Sequence, residues 1–598
     1  MNLLKKLLRP LRKEKTPIPV HKMKLSIGIQ SFAKLIRDNF IYVDKTEYIY
    51  TMIERGTNYF ISRPKRFGKS LLISTLSEIF NGNKELFKGC WIYKKIRWKK
   101  YPVIHIDFSE IAYHQSDLPE AVESYLRTIA AKSSVTLQKT NIKEMFTELI
   151  EKMSTAEAKP VVILIDEYDK PIVDYIEEYE KADRNRQFLK DFYSVLKNQD
   201  KNIKFLFITG ITRFTRVSLF TDLNHLNDIT MDPRYSRLLG YTQEEIEHYF
   251  QPYIEEWLNK ENGGKDKLFN QMKDYYNGYS WDGETFLYNP FSIVNFFEKF
   301  IFGNYWYAVA TPTFLINMLR KSDLKISRLE NIHVNRHFFD KFDIENIDDI
   351  ALMHQTGCLT IKGREEDNFS LSYPNREVRE SFLQDLIVSY SSITETQIEE
   401  IKNPIKNALN QKNLPLFIQS IQTLFSTIPY NIIISNREAY FHSIFYMILK
   451  LCRVNISCEV PTNLGRIDAL IQTDNYIYIL EFKMGSADTA LKQIEEKKYY
   501  EPYLEQKKKI VLVGIGIGEH ERNILNFRHY EYTARIPGQK ENQFNSPLLE
   551  DKPAELDAYA DKITKITGLD FGYPVIYKNG FPAARPGNGD IPDREDKK

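Results

Sequence analysis

Cysteine is scarce in this 598-residue chain, with four in all: Cys90, Cys358, Cys452 and Cys458. Their scatter excludes a disulfide-stapled fold and provides no metal-ligand spacing, so they read as reduced thiols of a cytoplasmic protein. Long hydrophobic runs are also missing. The most apolar segments have the length of buried strands, too short to span a bilayer, which excludes integral membrane association. No charge of one sign dominates: 82 basic residues face 80 acidic ones, for a formal charge of +2. A global pull toward polyanions is thereby excluded, and any nucleic-acid surface must be local. Proline and glycine, 25 each, are ordinary, whereas tyrosine and phenylalanine, 37 each, mark a globular chain. The length predicts three or four domains. The opening MNLLKKLLRPLRKEK has too short and too charged an apolar stretch for a secretory signal. Residues 1–24 therefore read as a frayed basic leader, with weak attachment to a membrane surface as the other reading.

From about 25 to 310, short apolar runs alternate with amphipathic helical patterns, which predicts an α/β domain with a parallel sheet covered by helices. The strand candidates are TNYFIS, PVIHIDF, PVVILID and IKFLFITG; KSLLISTLSEIF and RQFLKDFYSVLKNQ have helical spacing. Residues 311–435 read as a mostly helical connector. In it GCLTI and NFSLSYP form a hairpin beside the helix REVRESFLQDLIVSY, as a winged-helix-like module or as a plain helical connector. A second α/β unit spans 436–530: helix REAYFHSIFYMILKL, strands ISCEVP, GRIDALIQ and YIYILEFK, helix TALKQIEEKKYYEPYLEQ and strand KIVLVGIGI. Beyond 531, proline, glycine and charge predict a loosely ordered tail.

The stretch ISRPKRFGKSLL puts Arg63, Pro64, Lys65, Arg66, Phe67, Gly68, Lys69, Ser70 and Leu71 between a strand and a helix. Unpaired N–H groups at a helix start suit phosphate oxygens. Gly68 lets the backbone approach, Lys69 neutralises the β- and γ-phosphates, and the Ser70 hydroxyl takes a Mg²⁺ position. Arg63 stands where the GxxxxGK[ST] pattern has its first glycine. The run VVILIDEYD adds Asp166, placed to hold Mg²⁺, and Glu167, placed to polarise an attacking water. FLFITGITRF ends in Thr209, Thr212 and Arg213, with Arg216 nearby, as candidates to sense or neutralise a γ-phosphate.

In GRIDALIQTDNYIYILEFK, Asp468 lies on one strand, and Glu481 and Lys483 lie two apart on the next, on one face. Hairpin pairing of these strands would bring Asp468 to that face. Two carboxylates and a lysine make an oxygen-rich Mg²⁺ site with a cation beside it. Glu438 on the preceding helix is a further acid, and Gln493 on the following helix a substrate-orienting group. A structural ion pair between Glu481 and Lys483 on an exposed face is the competing reading, which the apolar strand around them disfavours.

FIYVDKTEYI, RPKRFGKSLL, ILIDEYDKP, FITGITRF, SLFTDLNHLNDIT, YYNGYSW and YNPFSIVNFF, with EAYFHSIFYMILKL, GRIDALI, ILEFK and QIEEKKYY, resemble the AAA-ATPase-like proteins that carry a C-terminal PD-(D/E)XK nuclease-superfamily domain. The resemblance spans about 25 to 530. It implies that Arg63 belongs to an arginine-proline form of the loop, and that Asp468, Glu481 and Lys483 are the nuclease-fold core, with Glu438 and Gln493 accessory. It also implies ATP and Mg²⁺ as ligands, DNA or RNA at the C-terminal domain, and either cleavage or binding without cleavage there. An oligomer or a protein partner is left open.

Overall fold

The computed structural model describes residues 22–213, 226–261, 263–310, 313–321, 326–340, 348–428, 437–518, 521–532, 577–578 and 581–582. They fall into two compact units that divide after Tyr390. The expectations for the leader and the tail lie almost wholly outside the described residues.

In the first unit the four apolar runs become β1 (Asn58–Ser62), β2 (Val103–Asp107), β3 (Val161–Asp166) and β4 (Ile203–Gly210), and the two-residue β5 (Asn227–Asp228) joins them. All pairings are parallel, in the order β2-β3-β4-β1-β5. Parallel neighbours need long crossovers. Here these are α1 (Lys69–Phe80), α2 (Leu118–Lys132) with α3 (Ile142–Glu157), and α4 (Tyr179–Asn198). Every residue of β1 and β3 is buried, which explains why neither alternates in hydrophobicity. Leu72, Leu76 and Ile79 of α1 pack in one core with Val162, Leu164, Phe205 and Phe207. Each such side chain contributes about 1.5–3 kcal/mol by leaving water. The register sets Asp107 beside Asp166 and Ser62 beside Gly210, so the ends of β2, β3, β4 and β1 form one carboxyl edge. Ligands of open α/β sheets collect there.

Helices Gln243–Tyr249, Gln251–Lys260, Gly264–Tyr276 and Pro290–Lys299 build a second core with Ile41 and Val43. Beyond them lie β6 (Ile332–Asn335), α5 (Asp349–Thr356), β7 (Thr360–Glu365), β8 (Asn368–Ser372) and α6 (Arg376–Ser391). The expected hairpin is β7–β8. The antiparallel β6 extends it to a three-stranded sheet, order β6-β8-β7, which the reading of the sequence lacked.

The second unit contains α7 (Arg437–Leu451), β9 (Asn455–Thr462), β10 (Gly465–Gln472), β11 (Tyr476–Met484), α8 (Ala487–Glu496), β12 (Lys509–Ile517) and β13 (Ile524–Glu531). Its sheet order is β13-β12-β11-β10-β9, with β11 and β12 parallel and α8 as their crossover. β13 was not expected from the sequence. Glu481 lies in register with Gly514, where an added Cβ would fall 2.2 Å from the Ala487 carbonyl oxygen. Only glycine lets α8 come so close, and that approach carries Gln493 to Glu481.

Candidate functional site

Arg63–Gly68 turn the chain from β1 into α1. Arg66 and Gly68 take positive φ, +64° and +97°. Gly68 is thus the left-handed residue before the helix, where glycine carries no steric penalty. The turn borders a cavity of about 450 Å³, a volume suited to a nucleotide-sized ligand. Its polar end is formed by Lys65–Leu71, Ser109, Glu167 and Lys170; Ile29, Ile41, Val43, Leu239, Phe291 and Val294 are among its apolar walls. Those walls come from segments far apart in sequence, so no local pattern announced them.

Lys69 is buried, and its ammonium donates to the carbonyl oxygens of Arg63 (2.9 Å) and Pro64 (3.0 Å). Burial lowers its pKa, against the opposing charges of Glu167 and Asp166. Asp166, at the tip of β3, is pushed up to about 6 by burial, while a hydrogen bond from Ser70 and the Lys69 charge act the other way. Glu167 is raised by burial as well, and it sits at φ +50°, a costly conformation for a residue with a Cβ. Lys69, Ser70 and Glu167 thus line one end of one cavity, and Asp166 lies behind them, buried against Ser70. Hydroxyl and carboxylate oxygens suit Mg²⁺. The two carbonyls under Lys69 are acceptors that phosphate oxygens can replace. The residues fit a magnesium triphosphate.

Two acids had gone unnoticed. Asp107 ends β2 next to Asp166; its signal was present in PVIHIDF, another apolar run ending in aspartate. Asp169 is buried and accepts the N–H groups of Ile211 (3.0 Å) and Thr212 (2.6 Å) and the Thr212 hydroxyl, latching β3 to the end of β4.

The structure places four other candidates elsewhere. Arg63 turns its guanidinium away from the cavity, donates to the Ser62 and Thr230 carbonyls and lies 4.0 Å over the Trp281 ring; burial lowers its pKa to about 9. Arg213 forms an ion pair with Asp228 at 2.6 Å and donates to the Phe339 carbonyl. Thr212 is taken by Asp169, and Thr209, though its buried hydroxyl has no hydrogen-bond partner, does not line the cavity. A strand-end position is legible in sequence; the side to which a long side chain turns is decided by distant partners. Arg216 lies outside the described residues.

The outer face of the loop is gripped by aromatic residues. Trp306 Nε1 donates to the Lys65 carbonyl (2.8 Å), and Phe67 meets Tyr279 and Trp281 edge-on at 4.8 and 5.3 Å. Gly357, at φ +91° where α5 ends, fits against Pro64, with 2.8 Å left for a Cβ. Gly357→Ala is expected to cost about 1–3 kcal/mol from left-handed strain and the clash together. Chemical denaturation of the two proteins measures it.

In the second unit β10 and β11 pair antiparallel, with Ala469 facing Leu480, and this brings Asp468 to Glu481. Asp468 Oδ2 accepts the Phe482 N–H at 2.9 Å. Glu481 is 1 % exposed and carries the Lys483 ammonium 3.3 Å from Oε1, which also accepts from Gln493 Nε2. Burial first, then the Asp468 charge, raises the Glu481 carboxyl above the ordinary range, and Lys483 opposes both. Oε2 of Glu481 is buried without a hydrogen-bond partner. An orphaned carboxylate oxygen beside a second carboxylate fits a divalent cation, because burying a charge without compensation is costly. Among the described residues no group of three or more His, Cys, Asp or Glu side chains is gathered for a metal, and the two described carboxylates here are those of Asp468 and Glu481. Glu438 lies in the first turn of α7, but its side chain is outside the described residues. His442, unnoticed in the sequence, hydrogen-bonds the Asp468 carbonyl oxygen through Nε2 (2.8 Å) and packs edge-on against Phe482 at 5.5 Å.

Residues 26–220 match the family described as "Predicted AAA-ATPase", and residues 436–527 match "PD-(D/E)XK nuclease superfamily". The chain is also similar to the "Uncharacterized protein in vnfD 5'region" of Azotobacter chroococcum mcd 1. The two are 34 % identical over 518 residues, covering 84 % of this chain and 98 % of that protein. Among the described residues no helix is long and apolar enough to cross a membrane.

Proposed function

The chain belongs to the AAA-ATPase-like family and carries a C-terminal domain of the PD-(D/E)XK nuclease superfamily, and on that premise we propose that it is a cytoplasmic ATPase whose nucleotide cycle controls Mg²⁺-dependent cleavage of DNA or RNA. One observation carries the nuclease half beyond its fold: Glu481 is buried, yet one of its oxygens lacks a partner beside Asp468. At the first site the N-terminus of α1 and Lys69 bind the β- and γ-phosphates. Ser70 and Asp166 hold the cation, and Glu167 accepts the proton of the attacking water. At the second site Asp468 and Glu481 hold the cation, Lys483 neutralises charge on the scissile phosphate, and Gln493 fixes the Glu481 carboxylate. When bound, Mg²⁺ supplies charge neutralisation at phosphate oxygens.

The test incubates the purified chain with Mg²⁺ and either supercoiled plasmid or single-stranded RNA, with and without ATP. Cleavage of one substrate that responds to ATP supports the reading. Retention of nucleic acid without cleavage contradicts the nuclease half and supports an ATP-dependent binding switch.

A further inference from the structure

Glu377, on α6, is 1 % exposed and has no part in either site's chemistry. Its carboxylate accepts the Ser292 hydroxyl (2.8 Å) and the backbone N–H groups of Trp306 and Tyr307. Three donors converging on one buried side chain suit an acceptor-only carboxylate and nothing isosteric to it. Each donor leads to the nucleotide cavity or back to α6. Ser292 belongs to helix Pro290–Lys299, whose Pro290, Phe291 and Val294 line the cavity. Trp306, fully buried, holds the Lys65 carbonyl on the phosphate loop. The Tyr307 hydroxyl donates to Asp385 (2.9 Å), two turns beyond Glu377 on the same helix. α6 ends at Ser391, at the point in the chain where the second unit begins.

On the ATP reading, the loop's carbonyls change partners when a ligand enters. The Lys69 ammonium rests on the Arg63 and Pro64 carbonyls and leaves them to reach a phosphate; the next carbonyl along the loop is the one Trp306 holds. We infer that Glu377 is a positioning residue coupling nucleotide occupancy of the cavity to α6, acting through Trp306 on the loop and through Ser292 on the cavity wall. This rests on the reading that the cavity takes ATP. A purely structural tie would hold α6 equally in the free and occupied protein; a coupling residue makes the hold depend on nucleotide.

Hydrogen exchange on the full chain, with and without a saturating non-hydrolysable ATP analogue and Mg²⁺, separates the two. In the wild type, exchange is expected to slow about tenfold both in peptides over 64–75 and in peptides over 376–391. Trp306→Phe keeps an aromatic ring at the position and removes the indole donor; Glu377→Gln keeps the shape and replaces one of the two acceptor oxygens with a donor amide, so that Ser292, Trp306 and Tyr307 can no longer all donate to it. In both variants, slowing at 64–75 persists, while slowing at 376–391 falls to about twofold or less. Should Glu377→Gln fail to fold, Trp306→Phe decides alone. Wild-type slowing at 376–391 in either folded variant, or wild-type slowing confined to 64–75, overturns the coupling. No slowing at 64–75 in the wild type overturns the ATP reading, and the coupling with it.

Discussion

Replacing Lys69 with alanine is expected to lower steady-state ATP turnover about a thousandfold, the scale on which a preorganised charge-stabilising donor acts, while leaving the fold intact. The charge of this ammonium acts on both Asp166 and Glu167. Without it, Lys65, Arg66 and Lys170 at the rim and the partial charge of the α1 backbone N–H groups are left facing a triphosphate, and the buried cation at the head of the helix is gone. Stability should respond little. Lys69 is itself buried at a cost, as its lowered pKa records, and its hydrogen bonds go to loop carbonyls that border a cavity water can enter. Lys69→Arg should fail too, because the compact ammonium is replaced by a planar fork that the Arg63–Pro64 turn was not built around. Phosphate release and circular dichroism on the same preparations check both halves. Undiminished turnover in a folded Lys69→Ala protein would remove the hydrolytic site from this cavity.

Glu481→Gln is expected to have the second large effect: phosphodiester cleavage falls at least about a hundredfold, with ATP turnover unchanged. Shape and the Gln493 neighbourhood are retained, but a carboxylate offered to the cation is lost. The stability response runs in the opposite direction. Burial and the Asp468 charge raise the folded-state pKa of Glu481 above its ordinary 4.5. The folded protein therefore holds this proton to higher pH than the unfolded chain does. Folding stability is lost as pH rises from about that ordinary value through the raised one. Glutamine has no proton to lose, so the variant should melt higher than the wild type at pH 8 without metal. Added Mg²⁺ should raise the wild-type melting temperature and leave the variant where it was, and EDTA should reverse the wild-type gain. A variant that loses cleavage and also melts lower would mean that Glu481 is a structural ion-pair partner of Lys483.

The two sites were legible to different depths. Around the phosphate loop the order strand, loop, helix and the paired acids at the end of VVILID were enough, because buried parallel strands are unbroken apolar runs and a charge at their end has few reasons to be there. Asp107 was missed since a lone acid after PVIHI resembles an ordinary loop start. Arg63 and Arg213 were assigned to the nucleotide because their backbones are at the right edge; their guanidinium groups are claimed by Trp281 and Asp228, from segments that no local pattern links to them. The second site followed from period-two alternation, which set Glu481 and Lys483 on one face, and from a tight β10–β11 hairpin that delivered Asp468. The Gly514 opening that admits α8 needed the register with β12, a pairing across more than thirty residues. β6 and β13 were missed for a related reason: IHVN and ILNFRHYE are partly polar edge strands, recognisable only by the neighbours they pair with.

In the proposed cycle the first phosphate site governs the second. Its most direct test is the rate of nucleic-acid cleavage in Mg²⁺ for wild type and Lys69→Ala, each with and without ATP. ATP is expected to change the wild-type rate and to have no effect on the variant, whose Asp468, Glu481 and Lys483 are untouched. Equal wild-type rates with and without ATP would contradict it.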